Sequence, residues 1–184
     1  GLFARLTKQE QPLRLLDVGT GTALISIELC RKQVVCRVTA IDLAAEMLKL
    51  ADLNISRAGL ANTIQTALIA AKQMPYASGS FDAVISNSIV HHIPKPSTVV
   101  AEMARVLKHG GGLFIRDLLR PISLVEVDRF VASYAGQENA HSQQLFRDSL
   151  HAALSLEEVR DLAFTHGIPK TAVLPTEPRP AWSL

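Results

Sequence analysis

Cysteine is nearly absent: the 184 residues contain two, Cys30 and Cys36. Two cannot build a disulfide framework, and their spacing fits no zinc site, so no metal is expected. Both lie in apolar stretches, which predicts buried, reduced thiols and a cytoplasmic setting. Aromatic residues make up only 5%, so the core must be aliphatic, and platforms that stack nucleobases are excluded. Neither sign of charge dominates, with 19 basic against 17 acidic residues. The densest basic cluster, Arg31, Lys32 and Arg37, is too sparse to track a phosphate backbone and reads as a solvated helix end, so no nucleic-acid partner is expected. Long apolar runs are missing too. Without a stretch of eighteen, and without a signal peptide, a membrane span is not expected. What is present is 48% hydrophobic and 20% charged residues, a globular composition sized for a single domain over residues 1–184. The chain opens on Gly1 rather than Met, which leaves room for a segment upstream.

The apolar period alternates between strand and helix. Strands are predicted at 13–18 (LRLLDV), 34–41 (VVCRVTAI), 63–69, 81–87 (FDAVISN) and 113–118. Helices are predicted between them at 22–33 and 44–58, the latter stopped by Gly59, and from the Pro94/Pro96 start to about Lys108. Gly110–Gly112 read as the turn that ends this helix and starts the fifth strand. Such alternation means βαβ units and a mostly parallel sheet covered on both faces. Past Leu119 the rhythm turns helical, at 121–135, 142–154 and 155–166. The last of these opens with the capping box Ser155/Glu158. The tail, with Pro169, Pro175, Pro178 and Pro180, has room for one short strand at most.

The chemistry is concentrated in Leu15-Leu16-Asp17-Val18-Gly19-Thr20-Gly21-Thr22-Ala23. A strand, a glycine turn and a helix bring backbone N–H groups toward a ligand at the helix N-terminus. A dinucleotide fingerprint needs a third glycine where this chain has Leu24, and it has no carboxylate beside the phosphates. Asp17 is such a carboxylate, and it suits a ligand that carries positive charge and no pyrophosphate. Asp42 closes the second predicted strand, where an acid can accept bonds from two ribose hydroxyls. Each acid alone also reads as ordinary strand-end turn chemistry. Together they describe a nucleoside bearing an ammonium or sulfonium group, such as S-adenosyl-L-methionine.

At this point the sequence resembles the class I S-adenosylmethionine-dependent methyltransferases over most of residues 13–119. LDVGTGTALISIEL is similar to the family's first motif and AIDLAAEMLKLA to its ribose segment. QMPYASGSFDAVISN resembles the loop and fourth strand, and EMARVLKHGGGLFIRDLLRP the helix, glycine turn and fifth strand. The resemblance implies an α/β, Rossmann-like, doubly wound fold whose mostly parallel seven-stranded sheet has its last strand antiparallel. It implies that residues 13–119 form a cofactor-binding half and 120–154 a helical substrate lid. It places Asp17, Gly19, Thr20 and Gly21 at the methionine end and Asp42 at the ribose. Leu43 and Met47 would flank the adenine, Ala70 and the backbone of Ala71 would meet its edge, and Asn87 would lie beside the sulfonium. Three positions depart from the family: Ala23 for a third glycine, Ala44 for a capping Ser, and Ala70 for the acid that bonds the adenine amino group.

Methyl transfer from a sulfonium is an in-line displacement, so alignment and exclusion of water matter most. A base is needed only where the acceptor must lose a proton. The candidates are His92, or its neighbour His91, and Asp117; the histidines also read as loop residues that cap the next helix. The absence of an Asn-Pro-Pro-aromatic run after Asn87 argues against amino-methylation of nucleic acids and for a small-molecule acceptor. Tyr134, His141, Phe146 and His151 are candidate lid lining, or plain helix packing. Two other readings remain: a methyltransferase-fold scaffold without turnover, suggested by Ala70, and a nicotinamide-dependent oxidoreductase.

Overall fold

A computed structural model describes residues 12–32, 35–176 and 181–183. The chain divides into two compact units, Gly1–Asn87 with Thr98–Phe114, and Ser88–Ser97 with Ile115–Leu184.

In the first unit β1 (Leu13–Val18), β2 (Cys36–Asp42), β3 (Ile64–Leu68) and β4 (Phe81–Asn87) lie parallel in the order β3-β2-β1-β4, with β5 (Leu107–Leu118) next to β4. Helix α1 (Leu24–Arg31) connects β1 to β2, and α2 (Ala45–Arg57) connects β2 to β3. Leu48, Ala51 and Ile55 are the buried positions of α2, a helical spacing that presents one apolar stripe. Ala51, Ile55 and Ile27 of α1 pack on Leu13, Leu15, Val38, Ala40, Ile64, Ala83 and Ile85 of the sheet. The core is aliphatic, as the scarcity of aromatics required. The register pairs Val18 with Ile41 and Asp42 with Leu68, so Asp17 and Asp42 come to the same carboxyl end of the sheet. Sites in open α/β sheets form at that end.

The glycine run behaves differently from its reading as a turn. Helix α3 (Pro96–Val106) stops before Lys108, and β5 starts at Leu107 and continues through Gly110–Gly112. Gly110 adopts φ 74°. A Cβ on Gly111 would stand 2.9 Å from the Asp82 carbonyl oxygen, so glycine lets one backbone approach another here rather than ending the strand. Gly59 does end α2, at φ 70°, with the Leu60 N–H donating to the Ile55 carbonyl.

In the second unit the end of β5 pairs antiparallel with β7 (Ala181–Ser183), and β7 pairs antiparallel with β6 (Leu174–Thr176). The tail therefore supplies two short strands where one was expected, and the sheet has seven strands with the last antiparallel. Pro175 fits because β6 is the edge strand. Helices α4 (Leu124–Ala135) and α5 (Ala140–Ala152) start at other residues than the periodicity predicts. Their starts are set by caps: the Ser123 side chain accepts from the Glu126 N–H, and Asn139 from the Ser142 N–H. Helix α6 (Leu156–Thr165) has the predicted Ser155/Glu158 capping box. Val127, Val131 and Leu150 form a small core with Leu118, Phe130 and Phe146. Phe146 is thus a packing residue. His141 and His151 are exposed, and the Tyr134 ring stacks near Phe130.

Candidate functional site: an acidic nucleoside cradle

The turn after β1 satisfies its own backbone. Both Gly19 N–H and Thr20 N–H donate to the Ile41 carbonyl, at 2.9 and 3.0 Å. Gly21 N–H donates to Asp42 Oδ2 at 2.8 Å, and Ala23 N–H to the Thr20 carbonyl at 3.0 Å. This corrects the expectation that these N–H groups are presented to a ligand. A loop that grips pyrophosphate keeps such donors for phosphate oxygens; here four of them are occupied internally. Gly19 and Gly21 have φ 72° and 55°, so both need the left-handed freedom of glycine. A Cβ on Gly21 would meet nothing within 4 Å; the space above the loop is open.

Ala23 is itself left-handed, with φ 61°, which is costly for a residue with a side chain. Its methyl is fully buried in the core and not turned toward the open space. The family's glycine at this position answers a backbone requirement, and this chain accepts the strain in exchange for packing. The loop is further tied to α2 by Asn54 Nδ2, which donates to the Thr22 carbonyl.

Asp17 is 3% exposed. Its Oδ2 accepts from Thr20 Oγ1 at 2.7 Å and from Ser26 Oγ at 2.6 Å. Burial raises its pKa above the ordinary carboxylate range, the two hydroxyls oppose the rise, and the charge of Asp42 adds to it. A buried acid facing a second acid gains from a cation nearby. Asp42 uses one oxygen for Gly21 N–H and the other for Ala44 N–H, at 2.9 Å. A carboxylate has about four lone-pair sites, so acceptor capacity remains for two ribose hydroxyls. The Ala44 bond holds the turn that leads into α2, whose N-cap has no side-chain hydrogen bond. Beyond Asp42, Leu43 is 71% and Met47 43% exposed, unpartnered apolar surface suited to a purine face. Ala70 and Ala71 follow β3, where Ile69 N–H donates to the Asp42 carbonyl. Ala70 lines a shallow recess with Leu68, Ile69, Gln73, Met74 and Pro75. Among the residues of this unit, the groups present fit an S-adenosyl nucleoside.

A clamp on α3 holds the loop after that recess. Glu102 and Arg105 form a two-pronged ion pair at 2.6 and 2.8 Å. Glu102 also accepts from the Met74 N–H, and Arg105 donates to the Met74 and Tyr76 carbonyls. The Arg105 hydrogen bonds, followed by the Met74 N–H, lower the Glu102 pKa to about 2. A carboxylate depressed on folding stabilises above its ordinary value and loses that contribution as the pH falls through its folded value. Glu102→Gln should therefore cost about 1 kcal/mol at pH 7 in this solvent-screened pair. In thermal unfolding the gap to wild type should close as the pH drops from about 4.5 toward about 2.

In the second unit the acid named from sequence meets His91. Asp117 Oδ1 is 2.5 Å from His91 Nδ1, and the two side chains are 1% and 5% exposed. Asp117 also accepts from Val90 N–H and Leu118 N–H, each at 2.6 Å. This fixes the 3-10 turn Val90–His92. An aspartate placed here accepts from the Nδ1–H of His91, which in the neutral ring leaves Nε2 a lone pair. The His92 ring lies 3.9 Å from that of His91. Burial, then the His91 charge, push the His92 pKa down against the pull of Asp117. Adjacent histidines cannot be told apart by sequence spacing; the fold pairs His91, not His92, with Asp117. Asn87 ends β4. Ser88 follows at φ 61°, a strained conformation for a non-glycine residue and a common mark of functional turns; its N–H donates to the Arg116 carbonyl.

The strand order and the acid-flanked glycine loop define a Rossmann-like nucleoside-binding protein of the methyltransferase type. A family model for the methyltransferase domain matches residues 16–115, more than half the chain, and the chain belongs to the class I S-adenosylmethionine-dependent methyltransferase family. It is 32% identical over 168 residues to the ubiquinone biosynthesis O-methyltransferase of Xanthomonas oryzae pv. oryzae, a match covering 82% of this chain and 66% of that protein. It is 31% identical over 173 residues to the demethylmenaquinone methyltransferase of Porphyromonas gingivalis, covering 89% of this chain and 71% of that one. The chain thus spans just under two thirds of the Xanthomonas relative's length. A crystal structure of a SAM-dependent methyltransferase from Aquifex aeolicus shares the fold, with a TM-score of 0.68 at 18% identity over 98% of this chain and 84% of that one. Among the described residues no helix is long and apolar enough to cross a membrane.

Proposed function

We propose that this chain binds S-adenosyl-L-methionine in the cradle of its first unit and transfers the methyl group to a small-molecule acceptor. One observation carries the reading: two acids flank a glycine loop whose N–H groups are spent internally. That arrangement favours a cationic nucleoside and disfavours a pyrophosphate, which speaks against the nicotinamide reading. Asp17 takes the ammonium end, with Gly19, Thr20 and Gly21 shaping the turn. Asp42 takes the ribose hydroxyls, Leu43 and Met47 the adenine faces, and Ala70 and Ala71 its edge. Asn87, at the end of β4, lies beside the sulfonium.

When bound, S-adenosyl-L-methionine supplies a methyl group activated by positive sulfur. The protein's residues orient it and keep water out. For a hydroxyl acceptor a proton must leave, and His91 held by Asp117, with the depressed His92 beside it, is the proposed receiver. Residues 13–119 are proposed as the cofactor half of a single domain and 120–154 as the substrate-selecting lid. The names of the relatives point to quinone-type aromatic acceptors. Ile122 just before α4, and Leu124 and Val125 in its first turn, each at least 70% exposed, support an apolar one.

The test uses methyl-labelled cofactor with 3,4-dihydroxybenzoate and reduced menadione as acceptor probes. Labelled product with either probe is expected, along with S-adenosylhomocysteine in equal amount. Cofactor binding without transfer to any acceptor in a cell extract would favour the scaffold reading that Ala70 suggests. Tight NADH binding by fluorescence would overturn the role given to Asp17.

A further inference from the structure

The proposed methyl transfer makes no use of the two cysteines, yet the fold brings them together. Cys30 sits in the last turn of α1 and Cys36 is the first residue of β2. Their sulfurs are 3.8 Å apart and within hydrogen-bonding contact. Cys36 is buried and Cys30 only partly so, so Cys30 is the more accessible residue of the pair. The basic cluster that found no role as a nucleic-acid surface flanks this pair. Arg31 and Lys32 follow Cys30 directly, Arg37 follows Cys36, and all three are exposed. Exposed positive charge next to both cysteines in sequence draws in anionic reactants.

We propose that Cys30 and Cys36 form a reversible redox dithiol that reacts with small anionic disulfides of the glutathione type. The Cys30 thiolate attacks one sulfur of glutathione disulfide, forms a mixed disulfide and releases one glutathione thiolate. The Cys36 thiol then gives up its proton and displaces the second glutathione from the Cys30 sulfur, closing the Cys30–Cys36 bond. Two protein thiols are oxidised, one glutathione disulfide is reduced to two thiols, and the two protons pass to the leaving glutathiones. The sulfurs must close from 3.8 Å to about 2.05 Å. The division of labour follows from exposure: the more accessible Cys30 attacks and the buried Cys36 resolves. The sulfur–sulfur contact lowers the Cys30 pKa against the effect of its burial and raises that of Cys36, which burial raises further.

The test equilibrates the full folded chain in glutathione buffers from fully reduced to fully oxidised, then alkylates free thiols and weighs the protein. Expected under oxidation is a loss of about 2 Da with neither cysteine alkylated. A cross-linked pair of peptides should carry Cys30 and Cys36, and dithiothreitol should restore both thiols. Cys36→Ser should stop at the mixed disulfide, with at least tenfold more glutathione on Cys30 than in wild type. Cys30→Ser should leave Cys36 unmodified in the same time. The proposal is overturned if both wild-type cysteines stay alkylatable in fully oxidised buffer. It is equally overturned if glutathione stays on wild-type Cys30 or if the chains cross-link to one another. These wild-type outcomes decide the matter even if a serine variant fails to fold.

Discussion

Asp117→Ala is expected to lower the unfolding free energy by about 3–5 kcal/mol, since each buried donor left without a partner costs about 1–3 kcal/mol. The size follows from what one carboxylate holds. Only 2% exposed, it accepts from Val90 N–H, Leu118 N–H and the His91 ring. Alanine would leave two backbone donors and an imidazole without a partner in a site water hardly reaches, and each such group is costly. Because whole domains are stable by about 5–15 kcal/mol, the variant should unfold at markedly lower urea. Asp117→Asn keeps an acceptor oxygen and should lose less. A urea midpoint for Asp117→Ala within error of wild type would show that the carboxylate does not organise the turn.

Asp17→Asn should instead spare the fold and weaken the cofactor. The amide oxygen can still accept from Thr20 and Ser26, which now donate to Oδ2 of Asp17, so stability should change little. What is lost is the charge that meets the ligand's ammonium. A hydrogen bond to a charged group is worth about 1.5–3 kcal/mol, or roughly 10- to 100-fold in affinity. S-adenosylhomocysteine carries the same ammonium and serves as the probe in equilibrium dialysis. The pH dependence gives a second check. Burial holds the Asp17 carboxyl above its ordinary range, so on acidification it takes up its proton before an ordinary carboxylate does. Wild-type affinity should therefore begin to fall at a higher pH than a solvent-exposed aspartate would produce, and Asp17→Asn should not show that limb.

Much of the cofactor half was legible because its chemistry is local. Asp17, Gly19 and Gly21 sit in one turn, and the β1–β2 register that brings up Asp42 follows from consecutive βαβ units. The hydrogen bonds of that turn were not legible, since Gly19 and Thr20 find their acceptor at Ile41, more than twenty positions away. The same holds for Asp117 and His91, which come from different strands and loops and are set by packing rather than spacing. The Gly110–Gly112 run misled because three glycines signal a turn by conformational freedom. Gly111 is instead there to let the Asp82 backbone come close. Helix starts at Leu124 and Ala140 were displaced because side-chain caps, not apolar period, decide where a first turn begins.

The central claim is that the acidic cradle of the first unit binds an S-adenosyl nucleoside. Isothermal titration of S-adenosylhomocysteine into the folded full chain tests it most directly. The account predicts one site per chain with a dissociation constant in the micromolar range, about −6 to −8 kcal/mol, and no competition from NADH. An absence of binding heat at millimolar ligand, in protein whose circular dichroism shows the fold intact, would contradict it.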